Sequence, residues 1–105
     1  MPLRGKKLGL LLSAGPEQAG FQHALRLAET ALAGGVRVYF YCIDEAVRGL
    51  ADTRLQGLKA QGLNLYACAY GAQRRGLPLS DLAAFAGLSV VSDLMTGTDR
   101  FVSFN

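Results

Sequence analysis

Leu63-Asn64-Leu65-Tyr66-Ala67-Cys68-Ala69-Tyr70-Gly71-Ala72-Gln73-Arg74-Arg75-Gly76-Leu77 passes from one kind of local structure into another. Residues 63–67 form a short, mostly apolar run after Gly62, the pattern of a buried strand. Residues 69–75 are compatible with a helix, and Gly76 stops it. Cys68 stands at the junction. A thiol there faces the unpaired N–H groups and positive dipole end of the following helix, with Arg74 and Arg75 close in sequence, and both effects favour the nucleophilic thiolate. The competing reading is inert packing, because free cysteine is among the most buried residue types.

The rest of the chain extends this strand-to-helix pattern in both directions. Residues 8–13 are a continuous apolar run, as expected of a parallel strand covered on both faces. Gly15 and Pro16 suit a helix start, and Phe21, Ala24, Leu25, Ala28, Ala31 and Leu32 recur at amphipathic spacing up to Gly34-Gly35. Residues 36–42 are rich in β-branched and aromatic side chains, which predicts a second strand ending at Asp44-Glu45, a solvated turn. Leucines 55 and 58 among polar positions predict a helix over 50–61. Beyond the cysteine segment, Ser80 and Asp81 are placed to cap a short helix through Phe85. Residues 88–91 then read as a small strand, Ser92-Asp93 as the opening of a turn, and 101–104 as the last strand.

Alternation of this kind predicts one three-layer α/β/α domain over residues 1–105, with a mostly parallel sheet of about five strands. Functional residues in such sheets gather at the carboxyl ends of strands. Residues 13–15, 42–45 and 68–71 are therefore expected along one edge.

Composition narrows the chemistry. A chain of 105 residues allows one domain, and half of it is hydrophobic, enough for one core. The net charge of +3 is spread along the chain, which gives no indication of direct nucleic acid binding. Two cysteines do not make a disulfide framework and point to a reducing compartment. Arg4, Lys6 and Lys7 ahead of Leu8 to Leu12 imitate a secretory signal, but removing that run would delete the first strand. No run approaches a membrane span, so a cytoplasmic protein is expected. Nucleotide-binding glycine signatures are missing, neither cysteine lies in a C-x-x-C, and His23 alone completes neither a zinc site nor a cysteine-hydrolase pair. Neither a metal nor another cofactor is expected. A lone activated thiol leaves thiol exchange or sulfur carriage.

Cys68, Ala69, Arg74, Arg75 and Gly76, read as C-A-x-x-x-x-R-R-G, resemble the active-cysteine segment of the DsrE-like sulfur-relay family, its TusD branch in particular. Thr98 to Phe104 is similar to that family's closing strand, and Tyr39-Phe40-Tyr41 to its second. The resemblance spans nearly the whole chain, which is shorter than typical TusD-like proteins between the second and third strands. It implies a sulfurtransferase-like carrier that holds sulfur as a persulfide on Cys68 between donor and acceptor proteins, in a homo-oligomer, a trimer or a hexamer. Gly71, Arg74 and Arg75 are the substrate-binding candidates beside it. The arginines can stabilise sulfur anions, complement the helix dipole, or pair with acidic residues of a neighbouring subunit. Cys42 is either core or a second, sulfur-accepting thiol. Some members of the family lack the cysteine, so a non-catalytic assembly or regulatory subunit is the alternative, and a small-molecule-binding module a third.

Overall fold

The structure, a computed structural model, describes residues 3–105. Five strands, β1 (Lys7–Leu12), β2 (Arg37–Cys42), β3 (Asn64–Cys68), β4 (Ala84–Ala86) and β5 (Arg100–Phe104), form one sheet in the order β4-β3-β2-β1-β5. Every neighbouring pair is parallel. Four α-helices connect them: α1 (Ala19–Ala33), α2 (Thr53–Ala60), α3 (Ala69–Arg74) and α4 (Ser89–Gly97). This is the layered parallel α/β fold expected from the alternation.

Because strand side chains alternate, each strand serves two cores. Leu10, Leu12, Val38, Phe40, Cys42, Leu65 and Ala67 face the larger one, where Phe21, Ala24, Leu25 and Ala28 of α1 and Leu55 and Leu58 of α2 cover them. Full burial of a side chain such as Phe21, Phe40 or Leu10 stabilises the fold by roughly 1.5–3 kcal/mol. The opposite face is smaller. There Tyr41, Cys68 and Leu94 are buried, while Leu11, Tyr39, Tyr66 and Phe101 of the sheet and Val90 and Val91 of α4 are only half-buried.

Three local expectations are corrected. Ser80 and Asp81 cap no helix: the Ser80 hydroxyl accepts the Leu82 N–H at 3.2 Å, closing a turn, and the chain then runs into β4. Residues 88–91 are not a strand, because Val90, Val91 and Leu94 follow helical spacing and put one face of α4 on the sheet. The helix expected over 50–61 is shortened to α2, which starts where Asp52 accepts the N–H groups of Arg54 and Leu55 at 2.9 and 3.0 Å, and a separate 3₁₀ helix, Asp44–Gly49, precedes it. The 3₁₀ helix lies tight on α1, since a Cβ on Gly49 would collide with the Phe21 ring.

A candidate active site at the carboxyl ends of the strands

The β3-to-α3 junction places Cys68 as predicted by the sequence. It is the last residue of β3 and caps the six-residue α3, its Sγ accepting the Gly71 N–H at 3.4 Å. The side chain is 6% exposed and opens into a cleft of about 440 Å³. Ser13, Ile43 and Asp44 beyond the ends of β1 and β2, Gly71, Arg74 and Arg75 of α3 and its cap, and Gly87 and Leu88 beyond β4 line this cleft. The ends of β1, β2 and β3 thus meet at one edge, although they are far apart in sequence.

The two arginines have different surroundings. Arg75 donates to Glu45 at 2.6 and 3.0 Å, to Asp44 at 2.5 Å and to the Gly71 carbonyl at 3.2 Å. It pairs with acidic residues of its own chain, and so fastens α3 to the 3₁₀ helix. Asp44 and Glu45, expected as a solvated turn, are the receiving end of this clamp, and Asp44 takes a left-handed backbone (φ 56°) that a short polar side chain tolerates. Arg48 continues the network, reaching Glu45 at 2.7 Å and Glu17 at 2.6 Å. The hydrogen bond from Arg75, then that from Arg48, holds the Glu45 carboxyl below its usual range. Arg74 is exposed, lies over the Tyr70 ring at 5.8 Å from its centroid, and has no carboxylate partner among the described residues. Within the cleft it is the guanidinium left for an anion.

Gly71 keeps the thiol's near wall low: a Cβ there would sit 3.6 Å from Cys68 Cβ and 3.7 Å from Sγ, in ordinary contact. Ser13 donates to the Phe104 carbonyl at 3.3 Å and to Asn105 Oδ1 at 3.1 Å, joining the ends of β1 and β5 beside the cleft.

Cys42 does not join this site. Its partner across the ladder is Ala67, so it faces the larger core while Cys68 faces the smaller one. Burial pushes its thiol up to about 12. His23 is exposed on α1, whose core contacts lie on the Cys42 side of the sheet.

Tyr41 belongs to the site and was missed by sequence reasoning, which read it only as a strand residue. Fully buried, it donates its hydroxyl to the Ala86 carbonyl at 3.0 Å and the Gly87 carbonyl at 3.3 Å. Burial first, and the neighbouring Cys68 second, push its ionisation above the ordinary tyrosine value. Alternation along β2 was the available signal, since Tyr41 is one step from core-facing Phe40 and Cys42.

Among the described residues no three His, Cys, Asp or Glu side chains gather as a metal site requires, and no helix is long and apolar enough to cross a membrane. A second hollow of about 550 Å³, lined by Leu8, Leu27, Ala31 and Val36 with Lys6 and Arg100, lies at the amino ends of β1 and β5, away from Cys68.

No family model matches the sequence, and no curated protein matches it. Solved structures do resemble it. The ychN protein of E. coli superposes with a TM-score of 0.73 at 17% identity, spanning 94% of this chain and 99% of its own. A conserved protein of unknown function from Bacteroides thetaiotaomicron superposes with a TM-score of 0.74 at 16% identity, spanning 93% and 94% respectively. At these identities the likeness is one of architecture, and the chain has the DsrE-like α/β fold.

Proposed function

We propose that this protein is a sulfur carrier that accepts sulfur as a persulfide on Cys68 and hands it to an acceptor protein. The observation that carries this reading is the position of Sγ: Cys68 ends the interior strand β3, its sulfur accepts a backbone N–H, and it opens into a cleft that Arg74 and Arg75 line. Transfer needs no general base. The Cys68 thiolate attacks the outer sulfur of a donor persulfide R–S–SH, the donor's S–S bond breaks, and R–S⁻ leaves with the electron pair. Cys68–S–SH results without net oxidation, and an acceptor thiolate repeats the exchange in the second half of the cycle.

Within this scheme the Gly71 N–H donates to the sulfur anion. Arg74 supplies positive charge at the mouth, and Arg75 positions α3. Both cysteines are free, consistent with work in a reducing cytoplasm between donor and acceptor proteins. The assembly implied by the resemblance, a trimer or hexamer, is supported by the half-covered second face and by Tyr70, Leu88 and Met95, which are exposed near it. The same surface supports the alternative of an assembly subunit. Incubation with inorganic polysulfide followed by mass spectrometry decides between them: the carrier gains one sulfur on Cys68, and the gain is lost in Cys68→Ser and kept in Cys42→Ser. A wild-type protein that stays unmodified leaves the assembly role.

A further inference from the structure

The Ala86-Gly87-Leu88 segment beside the cleft hangs between a short edge strand and the first turn of α4, where the Gly87 and Leu88 carbonyls accept the Val90 and Ser92 N–H groups at 3.2 and 3.3 Å. Ala86, the residue opposite Cys68 in the ladder, ends an edge strand of three residues, and Gly87 and Leu88 continue from it along the cleft. Gly87 is exposed with open space around it, and Leu88 is 60% exposed. So short a strand supplies few ladder hydrogen bonds to hold the residues beyond its end. The side-chain tie to this segment comes from across the core: the Tyr41 hydroxyl, rooted in β2, shares its single proton between the Ala86 and Gly87 carbonyls.

We propose that Tyr41 is a positioning residue that straps the Ala86-Gly87-Leu88 segment over Cys68 and thereby sets which reagents reach the thiol. The strapped cleft admits slender, unbranched sulfur compounds, such as inorganic polysulfide or a terminal alkyl persulfide, and excludes bulky disulfides. Only the naming of sulfur compounds rests on the carrier reading; the strap itself does not. The burial of the phenol and its position beside the Cys68 sulfur agree with a group that spans both walls.

Labelling kinetics test the strap without any sulfur transfer. In Tyr41→Phe, the rate of Cys68 alkylation by a fluorescein maleimide rises about three- to tenfold, the change in open population expected on losing one ordinary hydrogen bond. The rate with iodoacetamide stays within about twofold, because the small reagent already fits. Cys42, in the other core, remains unlabelled and reports that the molecule has not opened as a whole. An unchanged ratio of the two rates overturns the proposal, as does a parallel rise of both accompanied by Cys42 labelling. If Tyr41→Phe does not fold, Leu88→Ala trims the same wall at an exposed position: a raised maleimide-to-iodoacetamide ratio supports the strap and an unchanged one overturns it. Polysulfide loading of wild type, measured separately, shows whether the carrier reading fails while the strap stands.

Discussion

Cys42 and Cys68 end neighbouring strands, and one residue of register separates their fates. Cys42 pairs with Ala67, so Cys68 falls one step on and turns to the other face. At neutral pH the folded protein should therefore take up one equivalent of iodoacetamide, on Cys68, and two in denaturant; rapid labelling of Cys42 in the native state would falsify the burial argument. Cys42 also gives stability a pH dependence. Its thiol ionises near 9 when exposed and near 12 in the fold, so the unfolded chain loses this proton first and stability falls as pH rises from about 9 towards 12. Chemical denaturation across that window should show a shallower fall for Cys42→Ala than for wild type. At Gly71, alanine has room for its Cβ and a better helix propensity, by up to about 1 kcal/mol. Gly71→Ala is expected to melt no lower than wild type yet to alkylate several-fold more slowly at Cys68, because the new methyl touches the sulfur; equal rates would show that this wall does not control access.

At the scale of elements, α3 is too short to stand alone, and the Arg75 clamp joins it to the 3₁₀ helix after β2. The clamp works through ionised Glu45, whose carboxyl titrates below its usual 4.5 in the fold. Its contribution is therefore complete above that usual value and disappears as pH falls through the lowered one. Thermal melts from pH 7 to pH 3 should thus show a smaller acid loss in Glu45→Gln than in wild type, and amide exchange in α3 should quicken in Arg75→Gln at neutral pH. β1, β2 and β3 were legible in the sequence because apolar and β-branched runs of strand length leave little choice. β4 was not, since Ala84, Phe85 and Ala86 carry no period of their own and pair only because β3 offers an edge. Val90-Val91 looked like a strand for its β-branching, and the contact with Leu94 and the sheet overrode that local preference. The site divided in the same way. Cys68 and its helix start were local signals, whereas the Arg75 clamp and the Tyr41 hydroxyl bonds span separations of about thirty and forty-five residues that no short motif records.

Over the whole molecule, the two faces of the sheet are unequally dressed: α1 and α2 cover one, while α4 leaves Tyr39, Tyr66 and Phe101 of the other half-buried and Met95 59% exposed. Sedimentation velocity at micromolar concentration should show a trimer or hexamer, and Met95→Glu should shift it towards monomer; a wild-type monomer would sink the assembly proposal. The strand order carries a different consequence. β1 lies between β2 and β5, so Leu8–Leu12 pairs on one side with residues some thirty positions later and on the other with residues some ninety positions later. During synthesis the ribosome must release almost the entire described chain before that second side can close. Until then the nascent sheet presents β1 as an open template for pairing with other chains, and that edge closes only when β5 adds to it.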